Sequence, residues 1–273
     1  MLTRVEATNN QGTTLSFILG SAENGFLTKE IEGLDPVKAT VVSSSFANMD
    51  GAQYQSSRRE NRNIVMKLGY EVDVNTGSVR DLRNKLYGIF MPKSQVNLKF
   101  FVDEMPEVNI AATVESFESP LFTADPEATI SLLCFDPDFI TPTTTIVNGM
   151  TTSGATEIEI DYKGTVETGI HFQLLPDRAL SAFTIYQRGL DESVSSLGFA
   201  AALSSGDVLD ISTISGAKGA TLTRGTTLSS ILYGVSPYSA WINLFPGKNH
   251  LRVLAAGAAI PYKIEYATRY GGL

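Results

Sequence analysis

Only a few residues in this sequence could carry out catalysis. The chain contains two histidines, His171 and His250. A catalytic triad needs a histidine held between a nucleophile and a carboxylate, but His171 alternates with the apolar residues Ile170 and Phe172, which is typical of a solvent-facing strand position. His250 follows a turn at 247–249, and no G-x-S-x-G motif lies near either histidine. The histidines therefore predict no active site, and two of them cannot form a multi-histidine metal cluster.

Two close acidic pairs, Asp136 with Asp138 and Asp207 with Asp210, are the positions that could attract a calcium ion. Calcium takes six or more oxygen ligands, commonly from one dense acidic loop, and each of these segments supplies two carboxylates. We therefore expect the four side chains to cap turns at strand ends. Taken with the histidines, the acidic pairs predict a protein that is not an enzyme and has no catalytic, cofactor-binding or metal-binding residue.

Arg58, Arg59 and Arg62 form the densest basic cluster, just before an alternating segment that starts at Ile64. A site for single-stranded nucleic acid would interleave aromatic residues with the cations, and this cluster has none. The cluster is either a solvated loop or a contact with another chain, because arginine pairs with carboxylates through two parallel hydrogen bonds. We expect the three arginines to pair with carboxylates of an adjacent subunit or a partner protein.

Length and composition bound the class of protein. A chain of 273 residues has room for two domains, and 43% hydrophobic with 18% charged residues indicates a folded chain. The 29 acidic and 21 basic residues give a formal charge of -8, which disfavours a nucleic-acid-binding protein. The sequence shows neither a membrane-spanning segment nor a signal region, which predicts a protein made and kept in the cytoplasm, without membrane insertion. Cys134 alone cannot form an internal disulfide and is expected in a core.

Strict alternation of apolar residues dominates the first half of the sequence. Every second residue is apolar at Ile64, Met66, Leu68, Tyr70 and Val72, and the same pattern recurs at 15–19, 96–102 and 108–114. Alternation of this kind predicts strands with one buried face. Within 96–102, Leu98 and Phe100 share one phase, so both side chains are expected to point inward.

A helical period replaces the alternation between Asn75 and Pro92, with Ser78 as the N-cap and Pro92 as the stop. Residues 141–145, Thr-Pro-Thr-Thr-Thr, are the predicted linker. Beyond them, Gly-, Ser- and Thr-rich sequence carries short strand signals and no helix of three turns, which favours a β-sandwich. The sequence thus predicts a mainly β protein with domains at 1–140 and 146–273.

Several segments have an order and spacing that resemble one family. In the first half they are GLDPV at 33–37, DGA at 50–52, the arginine-rich approach to residue 64, the single helix and CFDPDF at 134–139. In the second half they are GTVETG at 164–169, SGDVLDI at 205–211, SAWINLFPGKN at 239–249, and the ending YKIEY at 262–266 with GGL at 271–273. Together these segments resemble the distal tail protein (Dit) family of long-tailed, non-contractile bacteriophages, over nearly the whole chain.

The resemblance implies a structural protein of two domains. Residues 1–140 would be a belt domain, a β-sandwich or split barrel with one helix, that closes a six-membered ring, and residues 146–273 would be a galectin-like sandwich. The ring would lie at the distal end of the phage tail, after assembly in the host cytoplasm, and join the tail tube to the hub. The family has no catalytic residues to carry over, and its last strand can return to the first domain.

The partners that the resemblance implies are proteins of the tail. They are further copies of the chain, the major tail tube protein, the tape measure protein, the hub or tail-associated protein and the receptor-binding proteins. DNA would pass through the ring without specific binding. The alternative is a carbohydrate-binding or carbohydrate-active protein whose C-terminal sandwich stacks a glycan on Trp241 and Tyr238, beside Tyr233, although a lone tryptophan in a sandwich is more often a core or interface anchor.

Overall fold

A computed structural model of the protein describes residues 1–22, 24–48, 50–72, 77–121, 125–189 and 192–273. The chain divides into two compact units, one of Met1–Pro142 with Tyr270–Leu273 and one of Thr143–Arg269. The sequence placed the domains at 1–140 and 146–273, so the observed division differs in assigning residues 270–273 to the first unit. The N–H of Leu273 donates to the carbonyl of Leu34 at 3.1 Å, which is one reason for that assignment.

The described part of the first unit contains antiparallel strands and one α-helix. In chain order the elements are β1 (Leu2–Asn9), β2 (Thr14–Ile18), β3 (Phe26–Glu32), β4 (Ala39–Ser44), β5 (Gln53–Arg59), β6 (Arg62–Tyr70), α1 (Val79–Tyr87), β7 (Gln95–Val102), β8 (Val108–Glu118), β9 (Glu127–Cys134) and β10 (Phe139–Met150), which continues into the second unit. Strand β8 pairs with β7 and β9. From β7 the order continues through β1 to β2, and from β9 it continues through β6 to β3.

Strand β6 shows why these segments form half-buried strands. Ile64, Met66 and Leu68 are fully buried, while the residues between them lie on the other face, because successive side chains of a strand point to opposite faces. The strand ends at Tyr70 and does not reach Val72, the last residue of the predicted alternation. Val72 is 49% exposed, so the apolar alternation in the sequence continues two residues beyond the end of the buried strand.

Strand β7 confirms the predicted phase of its side chains. Leu98 and Phe100 both have no exposed surface. The ring of Phe100 packs edge-on against the ring of Phe139, with their centroids 5.4 Å apart. This is a favoured geometry for two aromatic rings, and it joins β7 to the start of β10 inside the core.

Helix α1 begins at the predicted N-cap. The Ser78 hydroxyl accepts the Asp81 N–H at 3.2 Å and the Asp81 carboxylate accepts the Ser78 N–H at 3.0 Å, which forms a capping box. Leu82 and Leu86 are buried and fix the inner face. The helix ends before the predicted stop at Pro92, because the chain turns and buries the next apolar residues. No helix in the described ranges is long and apolar enough to cross a membrane.

The second unit consists of short antiparallel strands and a 3-10 turn at Leu232–Gly234. The strands are β11 (Ile158–Tyr162), β12 (Thr168–Gly169), β13 (His171–Leu174), β14 (Phe183–Arg188), β15 (Val194–Phe199), β16 (Val208–Ser212), β17 (Gly219–Arg224), β18 (Thr227–Ser230), β19 (Asn243–Leu244), β20 (Gly247–Ala255) and β21 (Pro261–Tyr270). One run of paired strands has the order β18-β17-β16-β13-β21-β10, and a second sheet has the order β11-β20-β14-β15.

Both sheets of the second unit bury one face in a shared core. Phe172 of β13 and Phe183 of β14 belong to different sheets, and their ring centroids are 5.8 Å apart. Ile211 of the first sheet and Ile185 of the second are both fully buried in the same apolar cluster. This arrangement is a β-sandwich, and the mainly β fold with one α-helix confirms the predicted fold class.

The predicted linker is part of a strand. Residues 141–145 lie inside the long strand β10, so the prediction of a free connection was wrong. Threonines and the following Ile146 and Val147 are β-branched and favour extended backbone. Pro142 lies inside this strand, where its fixed φ is compatible with extended backbone although it donates no backbone hydrogen bond. The proline and the polar threonines gave a linker signal, but the chain passes from one unit to the other as continuous extended structure.

Cys134 is a buried core residue at the end of β9. Burial raises the pKa of its thiol to about 12, and Arg62 partly opposes the effect. The thiol is therefore protonated at neutral pH, and the nucleophilic thiolate is scarcely populated.

Replacing Phe100 by alanine should destabilise the first unit by about 3–5 kcal/mol, because the change removes a buried ring and leaves a cavity. Phe135→Ala is the matched control, since Phe135 is 66% exposed and its loss should change the stability by less than about 0.5 kcal/mol. Chemical denaturation of both variants measures the difference. Equal stability of the two variants would show that the inward phase of β7 is wrong.

The Cys134 thiol should react with a thiol reagent such as 5,5′-dithiobis(2-nitrobenzoate) only when the first unit opens. Under native conditions the labelling rate should rise with denaturant in parallel with unfolding, since the protonated, buried thiol is unreactive. Rapid labelling of the folded protein, at the rate of an unfolded chain, would contradict the buried position.

Candidate assembly surface

Strands β4 and β5 form a hairpin that pairs with no other strand among the residues that the structure describes. We call residues 39–59 the arm. Apart from Ser44, every residue of the two strands is exposed. An isolated two-stranded hairpin is marginally stable in water, and its outer edges present unpaired backbone groups. An element with these properties gains stability when another surface covers it.

The arm carries large apolar side chains in contact with water. Val41 is 60% exposed, Val42 46%, Phe46 54% and Tyr54 62%. Val41 and Val42 are adjacent in one strand, so they point to opposite faces of the hairpin. The arm therefore presents apolar side chains on both of its faces.

Sequence reasoning did not single out these apolar residues. Gly51 adopts a φ of 91° in the connection between the two strands. The flanking segments have the valines and threonine of ordinary strands. Neither segment has the apolar alternation that predicted the buried strands, so the hairpin and its exposed side chains were not predicted from the sequence.

Two of the arginines at the root of the arm have different environments. Arg58 is 80% exposed and its nearest carboxylate, that of Glu60, is 4.0 Å away. Arg59 pairs through both terminal nitrogens with Asp138, a carboxylate that is 1% exposed. A carboxylate of its own chain thus already holds the Arg59 guanidinium, and a contact of this 41% exposed side chain with an adjacent subunit or partner stays a prediction.

Arg62 is buried, with 1% of its surface exposed, so it cannot be the predicted contact with another chain. Its Nε donates to the carbonyl of Pro137 at 2.7 Å and its Nη2 to that of Gly271 at 2.6 Å. Its Nη1 donates to the carbonyls of Gly33 and Asp35 at 2.5 and 2.7 Å. The guanidinium thus gathers three separate stretches of backbone around one point.

The buried guanidinium also lies over an aromatic ring. The Arg62 Cζ is 4.4 Å from the centroid of Phe139, a cation–π geometry. Burial lowers the pKa of the guanidinium, and the nearby Cys134 and Asp138 oppose the effect. Arginine is suited to this position because its planar fork offers five donors, and a buried donor without a partner is costly.

The acidic pairs cap turns and hold arginines. Asp136 accepts the N–H of Asp138 at 3.3 Å, and Asp207 accepts the N–H of Ser204 at 2.8 Å. Asp207 also receives two hydrogen bonds from Arg224, at 2.6 and 2.9 Å, and this contact lowers the pKa of Asp207. Protein donors therefore occupy the carboxylate oxygens that a cation would need.

The two histidines considered for catalysis each lie near one carboxylate. His171 Nε2 is 4.0 Å from Asp210, which accepts a hydrogen bond from Gln173 at 2.8 Å. His250 Nδ1 is 3.9 Å from Glu157. Among the residues that the structure describes, no group of three or more histidines, cysteines or carboxylates could hold a metal ion.

The aromatic residues proposed for sugar stacking differ in exposure. Tyr238 is 96% exposed, and Tyr233 is 81% exposed. Trp241 packs partly against the core of the second unit, and the Lys218 ammonium lies 5.8 Å from its ring. Stacking of a glycan on Trp241 and Tyr238 remains a prediction.

Two protein-family models match the chain. The phage tail protein RIFT-related domain matches residues 19–134, inside the first unit. The C-terminal domain of the siphovirus-type tail component matches residues 163–270, which lie in the second unit except for Tyr270. Among curated proteins, a sequence search finds no match.

A solved structure shows the same fold. The crystal structure of SPP1 Dit (gp 19.1), described as a paradigm of the hub adsorption apparatus in phages that infect Gram-positive bacteria, matches with a TM-score of 0.71 and 15% identity over 97% of this chain and 98% of that one. A chain of the phage P2 baseplate matches with a TM-score of 0.46 and 13% identity over 97% and 98% of the two chains, which is too low to indicate a shared fold. With one tail-family domain in each unit and a fold like that of SPP1 Dit, the chain belongs to the siphovirus-type distal tail protein family and is a structural component of a phage tail.

Proposed function

We propose that six copies of this protein close into a ring at the distal end of the tail, and that the ring joins the tail tube to the hub and the receptor-binding proteins. The observation that supports this proposal is the arm, an exposed hairpin with apolar side chains on both faces. The role is structural, and the protein catalyses no reaction in it. Its proposed partners are the major tail tube protein, the tape measure protein, the hub or tail-associated protein and the receptor-binding proteins.

A closed ring accounts for the arms of all its copies at once. When the arm of each copy is covered by the next copy, the contact joins two different surfaces, and such a head-to-tail contact leaves no free arm only if the ring closes. Each copy then buries Val41, Val42 and Tyr54, which are in water in the single chain. The gain in buried apolar surface drives the association.

The charge of the protein fits a ring that releases DNA. Six copies each bring a formal charge of -8. Of the densest basic cluster, Arg59 is paired with Asp138 and Arg62 is buried, so Arg58 is its most exposed member. Affinity for phosphate comes from clustered cations, and this surface offers few. We infer that DNA passes through the ring without specific binding. We also infer that the ring assembles in the host cytoplasm.

Val41→Asp should prevent ring formation without unfolding the chain, because it places a charge in a contact that must exclude water. Val194→Asp is the matched control, since Val194 begins β15 in the second unit and is 63% exposed, against 60% for Val41. Native mass spectrometry at several concentrations should show rings for the wild type and for Val194→Asp, and monomers for Val41→Asp. A ring of unchanged stability in Val41→Asp would show that the arm is not the assembly surface.

Duplex DNA mixed with the assembled protein at low salt should migrate as free DNA up to micromolar protein, because net repulsion opposes contact with phosphate. An electrophoretic mobility shift measures this. Binding at or below micromolar concentration that weakens steeply as salt rises would contradict the proposal, and Arg58→Glu would then tell whether the exposed arginine is responsible.

A further inference from the structure

The root of the arm lies against a segment from the other end of the chain. Residues 270–273 belong to the first unit, and we call them the tail segment. The N–H of Leu273 donates to the carbonyl of Leu34 at 3.1 Å, five residues before the first arm strand begins at Ala39. The carbonyl of Gly271 accepts a hydrogen bond from Arg62, and Arg62 lies three residues after the end of the second arm strand. The tail segment therefore contacts the chain on both sides of the arm.

The contact between the tail segment and the arm root is too close for a side chain. A Cβ atom at Gly272 would lie 2.8 Å from Cδ and 3.0 Å from the nitrogen of Pro36, and 3.1 Å from the carbonyl oxygen of Leu34. Two of these three atoms are backbone atoms, which cannot rotate away. Glycine at 272 is thus required by the close approach of two backbones.

Arg62 joins the two contacts through one guanidinium. It donates to the carbonyls of Gly33 and Asp35, which lead into the arm, and to that of Gly271 in the tail segment. Gly33 has a φ of 85°, and a Cβ there would overlap the carbonyl oxygen of Asn63. A larger residue at 33 would therefore force the backbone at the entry into the arm to move. Displacing the tail segment leaves a donor of the buried guanidinium without its partner.

The second strand of the arm is fixed from another side. Arg59, its last residue, pairs with Asp138, and the N–H of Glu60 donates to the carbonyl of Lys38 at 2.9 Å. The Glu60 bond joins the two sides of the arm at its root, and the Arg59 pair ties the second arm strand to Asp138, next to the start of β10. The bonds of Arg62 and the tail segment also hold the root to the rest of the first unit, and in the described ranges no other strand pairs with the arm.

We propose that the tail segment, acting through Arg62, positions the arm for capture by the next copy in the ring. A hairpin whose direction is fixed before association loses less conformational freedom on binding, so its affinity is higher. Ring assembly then depends on residues 270–273, although those residues need not touch the neighbouring copy. The inference rests on the proposed role of the arm in the ring.

Gly272→Val tests the inference in the full chain, with Gly219→Val as the control. Gly219 has no atom within 4 Å of an added Cβ and an ordinary φ. Hydrogen–deuterium exchange should be about fivefold faster or more in arm peptides of Gly272→Val, the factor that loss of one hydrogen bond of typical net strength gives. Peptides of β7 should exchange at the wild-type rate, and the ring dissociation constant from native mass spectrometry should rise by a similar factor. Gly219→Val should match the wild type in all three.

A second variant covers the case in which Gly272→Val unfolds the first unit, which fast exchange in β7 would reveal. Arg62→Lys keeps the charge but lacks the fork that reaches several carbonyls, and it should also speed exchange in the arm. Unchanged arm exchange in the folded variant would overturn the inference, as would a faster arm with unchanged ring affinity. A failure of Val41→Asp to dissolve the ring would instead overturn the proposed role of the arm, whatever the exchange rates show.

Discussion

A guanidinium that is removed from water must find a partner for each of its donors, and this requirement organises the first unit around Arg62. Its carbonyl partners come from the arm entry at 33–35, from Pro137 and from Gly271. These stretches are far apart in sequence, so the structure that satisfies one side chain also fixes where the arm leaves the body, where β10 begins and where the tail segment lies. Losing one partner of a buried charge is far more destabilising than losing an exposed ion pair.

The arm is the opposite case, since its two strands have no core contact of their own. The rest of the first unit buries one face of each strand in an apolar core, and the second unit does the same with two sheets. The hairpin differs because almost all of its residues are exposed, Val41, Val42 and Tyr54 among them. The chain belongs to a tail protein family, and the proposed ring would cover this apolar surface with a neighbouring copy.

Much of the fold follows from local sequence pattern, and the rest does not for identifiable reasons. The strands, the capping box of Ser78 and the inward phase of Leu98 and Phe100 depend on residues within a few positions of each other, so periodicity predicts them. Burial of Arg62 depends on carbonyls that any residue type could supply at 33, 35, 137 and 271, and no side-chain pattern marks them. The same limit explains why the sequence predicts an external contact for Arg62. The linker predicted at 141–145 has a different cause, because a proline and polar threonines are compatible with a loop and with the extended strand found there.

The proposed ring requires that the arm of one copy is enclosed by another copy. Placing the photo-reactive residue p-benzoylphenylalanine at Tyr54, which is 62% exposed in the single chain, tests it directly. After irradiation of a mixture of ¹⁴N- and ¹⁵N-labelled chains, mass spectrometry should find cross-links between chains of different label, in a ladder that ends at six copies. Cross-links confined to single chains, or a protein that stays monomeric at every concentration, would contradict the account.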